Sequence, residues 1–237
     1  MTVVADNDMW TIKAALDWTI GFLERKGDES PRLSAEWLMS EATGLSRIEL
    51  YVNFERPLTL DERATLRDFV ARRGKGEPLQ LISGKVPFRY ITVLVAPNVL
   101  IPRPETEVLV SEAFAELKLP RVADHVAAGE NGEEVVSPEL PELRVVDLCT
   151  GSGCIACSIA SEYPAAHVVA LDIAPEALAL AGKNVEVLGL GNRIEVLESD
   201  LLGALDPVKT QIGERLREIA RIRRMCPQKC ATAFLAR

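Results

Sequence analysis

The sequence predicts an α/β fold in which a small helical bundle and a β-hairpin precede an incomplete, doubly wound half-sheet. Apolar residues recur at helical spacing over residues 9–75. The spacing shifts towards two between residues 79 and 101, which is typical of a hairpin. Residues 144–202 then alternate between strand-like and helix-like segments, as a parallel sheet with crossover helices requires. The expected divisions are a helical unit over 1–76, a hairpin linker over 77–101, the N-terminal part of a sheet domain over 102–205 and an aberrant basic tail over 206–237.

Three helices are expected in the helical unit. The second begins at Ser30-Pro31, because proline fits the first position of a helix. The third follows Thr59, which has the spacing of a capping box with Glu62. A bundle of this size is usually an accessory or partner-binding unit. The apolar stripe of the first helix comprises Ile12, Leu16, Ile20 and Leu23.

The sheet domain is expected to open with an extended turn, because prolines flank Arg103, and a helix should start at about Glu105. Residues 119–143 are rich in Glu, Pro and Gly without apolar periodicity, which predicts an exposed loop. The elements that follow are expected at Arg144–Leu148, Ile155–Glu162, His167–Asp172, Pro175–Leu188 and Ile194–Glu198.

Composition narrows the classes of function. The net charge of −8 over 237 residues disfavours a general nucleic-acid binder. No run of apolar residues is long enough to predict a membrane span, and the first residues lack a basic, apolar signal pattern. We therefore expect a cytoplasmic monomer, or an organellar one in a eukaryotic source. The tail from residue 206 onward differs in carrying eight Lys or Arg against three acids.

The most informative segment leads from a buried strand into a glycine-rich turn. An apolar run that ends with Asp147-Leu148 is followed by Thr150-Gly151-Ser152-Gly153 and then by a helical pattern. Glycines at such a turn let the backbone approach a ligand with no Cβ in the way. A tight turn with a purely structural role is the alternative.

Two further acids follow the next two predicted strands. Asp172 ends the second strand, where a carboxylate can accept hydrogen bonds from ribose hydroxyls. Asp200 follows the third strand, where it could reach a purine amino group or, alternatively, cap a helix. Together with the glycine turn, these positions predict a site for a nucleotide-type cofactor.

The turn favours S-adenosylmethionine over NAD. A dinucleotide site has a third glycine that helps to set a pyrophosphate on the helix N-terminus, and this turn lacks it. Asp147 would repel a pyrophosphate, whereas a carboxylate suits the ammonium group of an amino acid.

Five cysteines raise the question of redox or metal chemistry. Cys154 and Cys157 form a C-x-x-C pair, but histidine is scarce and no second pair has matching spacing, so small buried thiols are favoured and no metal is expected. Cys149 stands at a position of the turn where glycine is often found. It would be strained if φ is positive there and accommodated if φ is negative.

Three blocks of sequence together resemble the release factor glutamine methyltransferase family (PrmC/HemK type) over roughly residues 10–202. The resemblance implies a Rossmann-like fold and transfer of a methyl group from S-adenosylmethionine. The acceptor in that family is the side-chain amide nitrogen of the glutamine in the Gly-Gly-Gln motif of class I peptide release factors. The blocks are Gly76–Gln80, Pro87–Arg89 with Ile101–Glu107, and Asp147–Gly153 with Asp172 and Asp200.

The resemblance also implies roles for individual residues. Asp172 would hold the ribose, Asp200 would lie by the adenine, and the helical unit would bind the release factor. The residues expected to line the methionine part of the cofactor are Asp147, Thr150, Gly151, Ser152 and Gly153, and those expected near the mouth of the pocket are Arg103, Glu105 and Thr106.

One departure from the family pattern concerns catalysis. Family members carry an Asn-Pro-Pro-Tyr motif after the fourth strand, and the 237 residues contain no such sequence. Its Asn side chain and Pro carbonyl accept the amide N–H bonds and orient a weakly nucleophilic nitrogen. We therefore assign no catalytic residue. The alternatives are a non-catalytic remnant that binds release factor, or methylation of another protein or of a nucleic-acid base, the last being disfavoured by the acidic composition.

Overall fold

The computed structural model describes residues 10–117, 140–201 and 203–204. The chain divides into two compact units, Met1–Gly84 and Lys85–Arg237. The basic tail, Cys226 and Cys230 lie outside the described residues, as does most of the expected loop over 119–143.

Helices make up the described part of the first unit. The predicted capping box is confirmed, since the Thr59 hydroxyl accepts a hydrogen bond from the Glu62 N–H at 3.2 Å and Glu62 bonds back to the Thr59 N–H at 2.8 Å. Pro31 stands at the first turn of its helix, as expected. The helices are α1 (Ile12–Arg25), α2 (Pro31–Thr43), α3 (Arg47–Val52), α4 (Leu60–Arg73) and α5 (Leu79–Ser83).

Two of these helices differ from the sequence expectation. The short helix α3 was not predicted, although Ser46 and Glu49 form a second capping box at its start. The helix α5 occupies residues that were expected to belong to the hairpin, and that expectation was wrong. Pro78 precedes the helix and Gly84 ends it with a left-handed φ of 72°, so Ile82 turns into the core of the helical unit.

The core of the first unit is apolar and draws on all five helices. Burial of each large aliphatic side chain contributes about 1.5–3 kcal/mol. The buried residues are Ile12, Ala15, Leu16, Leu23, Ala35, Leu38, Met39, Leu50, Leu58, Leu66, Val70 and Ile82.

The second unit contains the hairpin and the predicted half-sheet. Strands β1 (Lys85–Phe88) and β2 (Ile91–Leu94) pair antiparallel. Three further strands, β3 (Leu143–Leu148), β4 (Ala166–Asp172) and β5 (Ile194–Glu198), pair parallel in that order. The elements that follow the hairpin are α6 (Pro104–Glu116), β3 (Leu143–Leu148), α7 (Cys154–Glu162), β4 (Ala166–Asp172), α8 (Pro175–Val187) and β5 (Ile194–Glu198), which confirms the predicted order.

The core of the sheet positions the site. In register across the sheet, Val145, Val168 and Ile194 are all buried. Because the strands are parallel, their carboxyl ends meet at one edge, and the loops after β3, β4 and β5 lie together there. In the described ranges, no helix has the length and apolarity needed to cross a bilayer.

Candidate functional site

The glycine turn links β3 to α7 and uses left-handed backbone. Gly151 has a φ of 58° and Gly153 a φ of 76°. A Cβ on Gly153 would lie 3.2 Å from the Cβ of Ala181 on α8, so the absence of a side chain lets α8 pack directly against the turn. Among the described residues a Cβ on Gly151 would meet only Val99, at 3.9 Å, so the described part of the chain leaves the backbone at Gly151 open to an approaching group.

Cys149 is strained rather than accommodated. Its φ is 57°, in the left-handed region that favours glycine, which costs a side-chain-bearing residue about 1–2 kcal/mol. Its side chain is exposed, so the expectation of a small buried thiol was wrong at this position. The strand end therefore holds a conformational strain next to the turn.

Cys154 and Cys157 behave as the sequence predicts. Both are buried, and burial raises the pKa of each thiol to about 12. At neutral pH they are protonated, and a protonated thiol is a poor nucleophile and a poor metal ligand. Among the described residues, no group of three His, Cys, Asp or Glu side chains could hold a metal ion.

Two hydrogen bonds of Thr150 hold the turn to the ends of β3 and β4. The Thr150 hydroxyl donates to Asp147 Oδ2 at 2.7 Å, and the Thr150 N–H donates to the Leu171 carbonyl at 2.9 Å. Asp147 is fully buried, at 0% exposure. The structure therefore gives Asp147 a bracing role within the turn, beside the ligand contact that the family resemblance implies.

Asp172 joins the end of β4 to the same turn. Its Oδ2 accepts the Gly151 N–H at 2.9 Å, and its Oδ1 accepts the N–H groups of Ile173 at 2.9 Å and Ala174 at 3.0 Å. A carboxylate has about four lone-pair sites, so these three bonds leave room for a further donor such as a hydroxyl. Asp172 is half-buried and accessible for that purpose.

Asp200 lies just beyond β5 with its side chain exposed. The Ser199 N–H donates to the Asp172 carbonyl at 2.9 Å, which extends the parallel pairing to the residue before Asp200. The Asp200 carbonyl accepts a hydrogen bond from the Gly203 N–H at 3.1 Å, which closes a turn. No helix begins after it within the residues described up to Ala204, so the structure gives no support to the capping alternative.

The expected mouth residues lie at the start of α6. Arg103 precedes the helix in extended backbone, and its carbonyl accepts the Thr106 N–H at 3.0 Å. Arg103 and Glu105 are exposed and Thr106 is half-buried. The contacts of the described residues do not join these three to the glycine turn, so their place at the pocket mouth stays a prediction.

Asn184 on α8 is a residue of the site that the sequence analysis missed. It is buried at 1% exposure, and its Nδ2 donates to the Ser152 carbonyl at 2.8 Å and to the Leu94 carbonyl at 3.1 Å. Its Oδ1 accepts the Leu94 N–H at 2.7 Å. The available signal was a polar residue on the buried face of α8, three positions after Ala181.

The sequence analysis named Arg89 only as part of the family resemblance, and the structure shows that it has a structural role. Its guanidinium forms a bidentate ion pair with Glu162 on α7, with both N···O distances at 2.6 Å. A third nitrogen donates to the Glu107 carbonyl at 2.9 Å and to the Ser111 hydroxyl on α6. The hydrogen bonds to the Glu162 carboxylate raise the pKa of Arg89 above its ordinary value. Arg89 therefore ties the hairpin to α6 and α7.

Comparisons with known proteins place these features in context. A family model described as the PrmC N-terminal domain matches residues 14–84, and one described as the methyltransferase small domain matches residues 130–212. The release factor glutamine methyltransferase of Geobacter sulfurreducens is 44% identical over 198 residues, which is 84% of this chain and 61% of that protein. The protein of that name from Rhodopirellula baltica is 40% identical over 89% of this chain and 66% of its own length.

Two further matches are more distant. The release factor glutamine methyltransferase of Escherichia coli is 36% identical over 76% of this chain and 57% of its own length. Among solved structures, the N-terminal domain of human METTL16 in complex with SAH aligns with a TM-score of 0.33 at 15% identity, over 75% of this chain and 54% of that one. A likeness that weak carries no argument. The chain spans less than two thirds of the length of the curated relatives it matches.

Proposed function

The chain belongs to the release factor glutamine methyltransferase family, and from that premise we propose that its glycine turn binds S-adenosylmethionine for methylation of a class I peptide release factor. The acceptor is the side-chain amide nitrogen of the glutamine in the Gly-Gly-Gln motif. The observation that carries the proposal is the convergence of the open backbone at Gly151 with the carboxylate of Asp172 at one edge of the sheet.

The residues at this edge fit the cofactor by their chemistry. The open backbone at Gly151 allows close approach by the methionine part. Asp172 keeps accepting capacity for the ribose hydroxyls after its three backbone bonds. Asp200 is exposed on the neighbouring strand end, where a purine amino group could reach it. When bound, S-adenosylmethionine supplies a methyl group activated by an adjacent sulfonium.

The role of the chain in the reaction is to position groups. Methyl transfer in line with a sulfonium bond needs little acid–base assistance, so the rate depends on holding donor and acceptor in line. The braced turn of Thr150, Asp147 and Gly153 supplies a rigid wall for the donor side. Arg103, Glu105 and Thr106 are proposed to line the acceptor side.

The partner proposed for the helical unit is the release factor itself, the substrate named for the family's members. Large apolar side chains are exposed on α3 and at the start of α4, where Ile48 is 78%, Val52 79% and Leu60 76% exposed. Ile48 and Val52 are four residues apart and so share one face of α3. Exposed apolar patches of this kind support a docking surface.

Cofactor binding and methyl transfer need separate tests. The residues that support cofactor binding are described, whereas the amide-orienting Asn-Pro-Pro-Tyr motif is not in the 237 residues. Calorimetric titration with S-adenosylmethionine tests the first part, and a folded chain that fails to bind overturns it.

Transfer of a radiolabelled methyl group to a class I release factor tests the second part. A release factor with the motif glutamine replaced by alanine is the matched control. Label on the normal factor alone supports the whole proposal. If the chain binds the cofactor and captures the release factor but transfers no label, the proposed binding roles stand. The proposal that this chain catalyses methyl transfer is then overturned.

A further inference from the structure

We propose that Asn184 is a positioning residue that fixes the segment between β2 and α6 against the glycine turn. Binding of a cofactor at the glycine turn should therefore also affect the segment that leads to Arg103. The inference rests on the proposed function, because it takes the glycine turn to be the cofactor site.

The hydrogen bonds of Asn184 define its orientation. The Leu94 N–H can only donate, so the acceptor facing it at 2.7 Å must be Oδ1. The two hydrogens of Nδ2 then meet two carbonyls, those of Leu94 at 3.1 Å and Ser152 at 2.8 Å. Both groups of the side-chain amide are used, in a position with 1% exposure. One buried side chain therefore pairs with both backbone groups of Leu94 and with the turn.

A second contact joins the same two regions. Val99 lies 3.9 Å from the position that a Cβ on Gly151 would take, so the segment after β2 passes next to the turn. Five residues beyond Asn98, which has a φ of 66°, the chain reaches Arg103 at the start of α6. The segment from 95 to 102 is thus held at Leu94 and rests on the turn at Val99.

The helix α8 supplies the rigid support. Ala181 packs against Gly153, and Asn184 follows it by one turn of helix, so both contacts come from the same face. Removing the Asn184 amide would leave the buried Ser152 carbonyl and the two part-buried backbone groups of Leu94 without this partner, and a buried polar group without a partner is costly. Without that amide, the turn would keep its own internal bonds but lose its link to Leu94.

The variant Asn184→Asp tests this role with little change of size. The introduced carboxylate keeps an acceptor for Leu94 N–H, but its second oxygen faces two carbonyls. We expect the affinity for S-adenosylhomocysteine at pH 8 to fall about tenfold or more, the size of one lost buried hydrogen bond. As the pH is lowered, the carboxyl takes a proton and can donate to the Ser152 carbonyl, so part of the affinity returns. Asn192→Asp, the same change at an exposed position, is the control and should bind normally.

Hydrogen exchange measured by mass spectrometry reports the coupling itself. S-adenosylhomocysteine should slow exchange across 95–102 in the unmodified chain and in Asn192→Asp, and fail to do so in Asn184→Asp at a saturating concentration. General destabilisation would instead speed exchange in β3 and β4 as well. Unchanged affinity and unchanged protection in Asn184→Asp would overturn the proposal.

A ligand-free measurement separates this inference from the proposed function. If the unmodified chain does not bind S-adenosylhomocysteine, the proposed cofactor site fails. The exchange rate of the Leu94 amide then tests by itself whether Asn184 holds Leu94 against the glycine turn. That rate should rise about tenfold in Asn184→Ala, since the N–H then loses its side-chain acceptor. An unchanged rate would overturn the inference.

Discussion

The helical unit and the glycine turn are stabilised in opposite ways. The helical unit buries aliphatic side chains from five helices, and its cores and caps follow sequence patterns. The turn instead depends on left-handed backbone and on buried polar groups, of which Asp147 and Asn184 are at most 1% exposed. A lost methyl group in a packed core has a graded cost, whereas a lost partner leaves a buried polar group unsatisfied. The proposed cofactor site belongs to the second kind of structure, where we expect few substitutions to be tolerated.

The largest effect is expected from Arg89→Ala, which removes the cationic partner of the buried Glu162 carboxylate and leaves it only the neutral Ser158 hydroxyl among its described partners. Glu162 is 9% and Arg89 11% exposed at the side chain, so the charge left behind should lower the free energy of unfolding by about 3–5 kcal/mol. Arg144→Ala is the control, because its pair with Glu142 is 54% and 57% exposed and should cost at most about 1 kcal/mol. Urea unfolding followed by circular dichroism measures both, and equal costs would contradict the account.

Gly153→Ala should come next and should also affect function. Both Gly153 and Gly189 have a left-handed φ, of 76° and 68°, but a Cβ on Gly189 would meet no atom of the described residues within 4 Å. Gly189→Ala therefore reports backbone strain alone, about 1–2 kcal/mol, and Gly153→Ala adds the clash with Ala181. Thermal unfolding should rank Gly153→Ala as the less stable, and only that variant should lose cofactor binding. Matching losses in both variants would remove the packing argument.

A pH-dependent effect is expected in the helical unit at Glu36. Burial raises the pKa of this carboxyl, but hydrogen bonds from Tyr51, Arg32 and Arg47 outweigh it, and the net pKa lies below the ordinary 4.5. The stabilisation is thus present above about pH 4.5 and is lost as the pH falls through the lowered pKa.

Glu36→Gln should therefore cost about 1–3 kcal/mol at neutral pH and less in acid. Tryptophan fluorescence follows the relevant unit, because all three tryptophans, Trp10, Trp18 and Trp37, belong to it. Glu24→Gln, at an exposed position of the same unit, serves as the control. A constant difference between Glu36→Gln and the unmodified chain at every pH would refute the assignment.

The smallest effect is expected from Cys149→Gly. Glycine adopts the φ of 57° without strain, but it also gains freedom in the unfolded chain, so the net stabilisation should be about 0.5–1 kcal/mol. Thermal unfolding should therefore show a higher melting temperature for Cys149→Gly than for the unmodified chain. A destabilised variant would mean that contacts of the thiol outweigh the strain at this strand end.

The sequence predicted the half-sheet well because strand and helix differ strongly in apolar period there. The five predicted elements from Arg144–Leu148 to Ile194–Glu198 agree with the structure to within one residue at each end. The helices α3 and α5 were missed because six and five residues are too few to show a period. Capping boxes and the Pro78 and Gly84 boundaries were the usable signals.

The site was predicted in part. The glycine turn and Asp172 come together at one edge as the spacing of strands and turns requires. The roles of Asn184 and Arg89 depend on residues 90 and 73 positions away, which no local pattern reports. The strain at Cys149 depends on the sign of φ, and the sequence left both signs open.

The most direct test of the central claim is calorimetric titration of the full chain with S-adenosylmethionine, alongside Gly153→Ala. The account predicts saturable binding by the unmodified chain and none by the variant, with both shown to be folded by circular dichroism. A folded, unmodified chain with no saturable heat would contradict the assignment of the glycine turn as the cofactor site.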